Sequence, residues 1–251
     1  MAEEEKIREH AKQALQGLTD KKKGWREKTK DFLWEVFIII VAVNVTLWFH
    51  NWSDKRHDRE LEKNFLIGTR NDLSMVKQTL KDNYSGFYQP TLDYYDSVWV
   101  QMNEHRIDKA FVDTNSYILA NTSYFTYDNS RFENFKSSGY LRLIENDSLS
   151  MYITNLYSVT LPWIASADKM VFDGRWRDFC TYIGSKMPID SSGGWIVSSM
   201  LNAPGVKFHI QSQRDVLESS VRQQQETLQA VEGVITLIDE ELKTRFNYEA
   251  K

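Results

Sequence analysis

A single cysteine, Cys180, rules out any internal disulfide. That excludes a disulfide-stapled secreted module and leaves the bacterial periplasm or the cytosol open. With one cysteine and five scattered histidines there is no zinc-type spacing, so no metal is expected. A phosphate loop, GxGxxG, HExxH and GxSxG are all missing, so no cofactor and no catalytic residue is assigned. The net charge is only −4 and no basic face stands out, which argues against a nucleic-acid partner. Only four prolines and eleven glycines punctuate the chain. Two of those prolines and three of those glycines fall in residues 188–208, PIDSSGGWIVSSMLNAPGVKF, which makes it the best loop candidate, with Trp195 pinning it to the body.

Long apolar runs are equally scarce. One alone is long enough to cross a bilayer: Phe32 to Trp52, FLWEVFIIIVAVNVTLWFHNW. Phe32 to Phe49 would make ~27 Å of helix, against a hydrocarbon core of roughly 30 Å. Its interior is β-branched, from Val36 through Val45, and would favour a strand in water. In lipid the backbone must satisfy its own hydrogen bonds, so a helix is expected. Trp34 at one end, and Trp48, Phe49 and Trp52 at the other, match an interfacial aromatic belt. The competing reading is a core helix of a water-soluble protein. A cleaved signal peptide fits poorly: the run begins far from Met1, lacks a small-residue cleavage site and ends in tryptophan. Glu35 and Asn44 interrupt the span nine residues apart, on opposite faces. Either each bonds a partner helix, or Glu35 is interfacial and Asn44 a tolerated polar residue.

Residues 1–31 form a charged tail, expected on the cytoplasmic side. Ile7, Ala11, Ala14, Leu15 and Leu18 recur at helical spacing there. Lys21, Lys22, Lys23, Arg26, Lys28 and Lys30 precede the span, against Lys55, Arg56, Arg59 and Lys63 beyond it. Six basic residues against four favour a cytoplasmic N-terminus and a periplasmic domain over 53–251. The basic cluster could also lie on anionic lipid. Past Trp52 no proline interrupts the helical pattern. Leu66, Leu73 and Leu80 repeat every seven residues, with Val76 between them and Leu61 and Phe65 extending the stripe. A helix to about Asn83 is expected, either a stalk or an element that transmits motion.

The span and the stretch NWSDKRHDRELEKNFLIGTRNDL resemble the opening of an uncharacterised family of single-pass membrane proteins of Bacteroidetes-type bacteria. Glu35, Asn51, Trp52, Glu62, Leu66 and Leu73 occupy the places of that family's pattern. FKSSGYLRLIENDSL, residues 135–149, is similar to a second segment of it, with Ser138 to Ile144 at its centre. The resemblance covers about the first ninety residues and this segment. It implies a bacterial inner-membrane protein and carries no activity.

Further along, Gly86 and Pro90 suggest a turn, followed by an amphipathic helix over 91–106 running back against the first. Leu92, Tyr95, Val98 or Trp99, and Met102 would share its apolar side. A short helix is expected over Asp108 to Asn121, with Phe111, Tyr117 and Ile118 apolar, and loop or strand over Asn115 to Asn129. Ser130 with Glu133 reads as a capping box, with Phe132, Phe135 and Leu141 inward and Ser137-Ser138-Gly139 as the stop. Asn146 or Asp147 should cap the next helix, with Leu149, Ile153 and Leu156 as its stripe and a kink at Pro162. Trp163, Val171, Trp176, Phe179 and Ile183 continue the apolar pattern to about Lys186. From about Ile210 to Phe246, Leu217, Val221, Leu228, Val231, Ile235, Ile238 and Leu242 alternate four and three apart, with Gln224 at a seam position where it can fix register. This is a bundle helix or a two-chain coiled coil.

Few constellations suggest chemistry. Asp190-Ser191-Ser192-Gly193-Gly194 resembles an anion-holding nest, or is a plain loop. Arg175, Trp176 and Arg177 could cradle a carboxylate or sugar, or be a helix with its Trp packed and its arginines snorkelling. Glu104 and His105 are neighbours and point apart. His50 and His57 share a helix face and could sense pH or bind metal, or have no role. The aromatic load reads as core and interface packing. The expectation is all-α: one N-terminal transmembrane helix, 32–52, continuing into an antiparallel helical bundle. The expected role is a membrane-anchored scaffold or accessory subunit contacting lipid and a protein partner or a second copy. The alternative is a periplasmic sensor of an unknown small molecule.

Overall fold

The computed structural model describes residues 12, 25–178, 181 and 184–248, with no side-chain detail at 25–28, 175 and 178. The helix expected around Ile7 to Leu18, the basic cluster up to Lys23, and Phe179, Cys180 and Ile183 lie outside the described residues. The chain divides into two compact units, Met1–Glu60 and Leu61–Lys251.

The protein is all-α. Helix α1 spans Trp25–Asn83, a π-turn covers Tyr84–Tyr88, and α2 follows as Gln89–Asn103. Then come α3, Lys109–Thr114; α4, Ser130–Ser137; α5, Asp147–Asn155; a second π-turn, Leu156–Thr160; α6, Leu161–Asp178; and α7, Pro204–Phe246. Short 3₁₀ turns fill several connections. Among the described residues the nearest thing to a strand is one bridge, Ile189 with Trp195.

No turn forms at Gly86 and Pro90: the helix runs unbroken from Thr29 to Asn103, correcting the expected return helix. Pro90 lacks an N–H, and in an α-helix its ring would press on the carbonyl four residues back. The π-turn moves the ladder just before it, so that the Gln89 N–H donates to the Tyr84 carbonyl, five residues back. Pro162 is handled in the same way, the Leu161 N–H donating to Leu156. Each proline thus stands two residues after a five-residue π-turn.

The partner that runs back is α7. Ion pairs track the register: Glu62 to Arg245, Arg70 to Asp239, Lys77 and Lys81 to Glu232, Asp96 to Arg214. Each advance along α1 and α2 is matched by a similar retreat along α7, which is an antiparallel pair within one chain. The heptad of α7 is therefore spent inside this body. Leu217, Val221, Val231, Ile238 and Leu242 are buried, and Leu228 and Ile235 pack partly against the core.

Among the described residues, two apolar cores form in the body. One gathers Leu66, Leu73, Leu80, Phe132, Phe135, Leu149, Ile153, Leu161 and Ile238; the other gathers Tyr88, Tyr95, Val98, Phe172, Ile210 and Leu217. Local signals set the smaller helices. Asn146 caps α5, its side-chain oxygen accepting the Leu149 N–H at 3.1 Å. Gly139, at φ 72°, ends α4 in the left-handed conformation that glycine permits. Ser130 is the first residue of α4, not its cap; Asp128 accepts the Ser130 N–H at 2.8 Å. Along α6, Ile164 and Phe172 face inward, while Trp163 and Trp176 are exposed, one position off the expected stripe. In the 109–121 region Val112 and Leu119 are buried and Tyr117 is exposed. The 188–208 loop is present, Trp195 packing partly against the second core, and α7 begins six residues early at Pro204.

Candidate membrane anchor and exposed helix face

Within the first unit, the 18-residue apolar window of the span has none of its residues buried. Phe37, Ile38, Ile39, Ile40, Val43 and Val45 all stand exposed, as do Trp34, Trp48 and Trp52 towards the ends. Such a continuous apolar cylinder far exceeds the few hundred Å² that a water-soluble surface carries. This helix is long and apolar enough to cross a membrane, and it is not a core element of this chain. Asn44 donates its side-chain N–H to the Ile40 carbonyl at 2.7 Å, and Thr46 its hydroxyl to Ala42 at 2.8 Å. The Asn44 amide is thus partly satisfied by its own helix, and its oxygen remains the group that can meet a second one. Glu35 is exposed. His50 pairs with Asp54 at 3.4 Å, and His57 is exposed.

In the body, a second apolar surface lies along α5, its π-turn and α6. Met151, Val159, Trp163 and Met170 are 60, 57, 61 and 72% exposed. Ile153, Tyr157, Leu161, Ile164 and Phe172 of the same segment are buried, so these four residues point away from the core. In an unbroken α-helix Met151 would stand ~80° from Val159. The π-turn absorbs one residue and brings the two to within about 20°, aligning four large side chains on one ridge.

Among the described residues, grooves flank the body's helices. One, of about 550 Å³, is lined by Asn64, Phe65, Asp72, Arg131, Asn134 and Tyr140, among others. Gly68 seats the Arg131 guanidinium there: a Cβ at Gly68 would collide with it, while Arg131 pairs with Asp72 at 2.7 Å. Another, of about 610 Å³, runs between Tyr152–Thr160 and Ala230–Leu237, with Gly233 among its lining residues. Neither is lined by Trp176 or Arg177. Trp176 and Arg177 are exposed on α6, and the Arg175 side chain lies outside the described residues.

The Asp190 loop is a nest already filled by its own anion. The Asp190 carboxylate accepts the Ser192 N–H at 2.8 Å, the Ser192 hydroxyl at 2.7 Å and the Gly194 N–H at 2.8 Å. These bonds, the Ser192 hydroxyl first, hold its carboxyl below the usual range. A second anion finds those donors engaged. His105 takes the left-handed position after α2 at φ 54°, where it ends the helix and makes no pair with Glu104.

Sequence pattern alone does not signal the charge cluster at the start of the body. Glu62 is 1% exposed, and its carboxylate takes two bonds from Arg245, at 2.7 and 3.1 Å. Arg245 also reaches Glu241 and Glu145, each at 2.8 Å, and Asn146 donates to Glu241 at 2.8 Å. Burial works against the Arg245 charge, but Glu62 and Glu241 outweigh it and hold its proton more tightly than usual. The cluster clamps α1, α7 and the cap of α5 together. Comparison with known proteins returns no match: no family model, no curated protein and no solved structure matches this chain.

Proposed function

We propose that this protein is a single-pass, membrane-anchored helical scaffold or accessory subunit that works by protein contacts and not by catalysis. The observation that carries the reading is the ridge Met151, Val159, Trp163 and Met170. A chain that buries its other heptads so thoroughly leaves these four large apolar side chains pointing away from its core. The bias of basic residues and the family resemblance support an inner-membrane location with the N-terminus in the cytoplasm and the helical body in the periplasm. Trp34, Trp48 and Trp52 then sit at the two interfaces, and Asn44 is the residue in the span suited to a second helix.

The test is a crosslinking pull-down from membranes, comparing the unaltered chain with Trp163→Asp and Met170→Asp. Both positions are exposed, so the fold should survive and the captured partner, or second copy, should be lost. Capture unchanged by both substitutions would remove the ridge from the account. A second reading, a small-molecule sensor, draws on the 550 Å³ groove beside Arg131, which combines polar groups with aromatic rings. That reading predicts a ligand-dependent rise in unfolding temperature, which a pure scaffold lacks.

A further inference from the structure

The two apolar cores of the body are separated by a layer of polar side chains. Along the first long helix the layer falls between Leu80 and Phe87, at Asn83 and Tyr84. Along α6 it falls between Ile164 and Phe172, at Asp168, and along α7 between Val221 and Val231, at Gln224 and Thr227. Asp168 is its centre. Only 4% exposed, it accepts the Phe125 backbone N–H at 3.2 Å and the Gln224 side-chain N–H at 3.4 Å. The Tyr88 hydroxyl lies beside the carboxylate without a well-aligned hydrogen bond. Tyr84 closes the edge, accepting from Gln225 at 3.0 Å and donating to Gln89 at 3.1 Å.

No cation among the described residues answers this carboxylate. From the first π-turn the group facing it is Tyr88, and from the 120s segment it is the Phe125 amide. Tyr124 is occupied with Asp173 at 3.0 Å. From α7 it is neutral Gln224, flanked by exposed Arg222 and Glu226. On α6 itself, Lys169 is exposed and pairs with Asp173 at 3.2 Å. His209 lies deeper in the second core, against Tyr95. Burying an ionised carboxylate without a countercharge is unfavourable, and the group avoids it by taking a proton. The hydrogen-bond inventory agrees. Gln224 Oε1 and Tyr88 Oη are buried without a partner, Tyr88 being able to donate as well as accept, and a protonated Asp168 has one O–H to give.

We propose that this layer is a proton-dependent joint between the two cores. With Asp168 neutral, α6 is locked against the first π-turn and α7; loss of that proton loosens the packing there. Burial is the main cause that holds the carboxyl above the ordinary aspartate range, with Tyr88, Phe125 and Gln224 pulling the other way. The folded form therefore binds the proton more tightly than the unfolded one. The contribution is full below the unfolded value of about 3.9 and is lost as pH rises through the folded midpoint.

Hydrogen exchange on the full chain in lipid nanodiscs tests this, corrected for the intrinsic rate and run from about pH 4 to about pH 8. Protection at Tyr84–Tyr88 and around Gln224 should fall with rising pH, about tenfold for each unit by which the folded midpoint exceeds the ordinary value. In Asp168→Asn it should stay flat. The same pH dependence in both proteins, or none in the unaltered chain, overturns the joint. The carbon-13 titration of the Asp168 carboxyl in the unaltered chain decides independently of how the variant folds. A midpoint above the ordinary aspartate value supports the proposal, and one at or below it overturns it.

Discussion

Removing the guanidinium of Arg245 would leave the buried Glu62 carboxyl without its partner, next to Glu241. Replacement by Met should cost about 3 kcal/mol, the typical loss when one member of a buried pair is deleted. Arg131, half-exposed and paired with Asp72, should cost less than about 1 kcal/mol when replaced by Ala. Urea unfolding of the full chain in detergent measures both, and equal losses would contradict the assignment of burial. Neither Arg245 nor Asp168 was legible as a site from the sequence. Glu62 and Arg245 stand 183 positions apart, and on a helical pattern each reads as part of a solvated face. What a periodicity cannot show is which polar residue of a face a third helix will cover. Gln224 was legible, because a polar residue in a seam of Leu and Val breaks a pattern that is otherwise kept.

At the level of helices, period and caps carried most of the information. Leu66, Leu73 and Leu80, the Asn146 cap, the Gly139 stop and the α7 seam lie where the pattern puts them. Two of the departures from that pattern share one cause. Gly86 and Pro90 are turn residues, yet the chain passes Gly86 within a π-turn and Pro90 two residues after it, and a π-turn has no sequence signature of its own. A π-turn also shifts the apolar phase by a residue, which is why Trp163, inward by simple counting, faces out. The π-turn carries a prediction. Deleting Ser85 should restore a plain α-helix without rotating α2, and set Pro90 against the carbonyl four residues before it. That deletion should cost about 3 kcal/mol with Pro90 present and much less with Pro90→Ala, read from unfolding midpoints. Equal losses in the two backgrounds would mean the π-turn does not serve the proline.

Taken whole, the chain couples one apolar helix that its own core leaves bare to a body whose apolar seams are almost all closed. The closed seams supply the packing of a body that has no internal disulfide to staple it. Under the proposed function, the span and the ridge on α5 and α6 are the surfaces for lipid and for a protein partner. The lipid assignment of the span is the foundation, and it is open to direct measurement. With Cys180 replaced by Ser, a nitroxide can be placed in turn along Phe32–Trp52 in lipid vesicles, and its access to oxygen compared with its access to a water-soluble nickel chelate. Oxygen should dominate most strongly near Ile40 and Val41 and give way to the chelate towards Trp34 and Trp52. A chelate that reaches Ile38–Val45 as freely as it reaches exposed residues of the body would contradict the account.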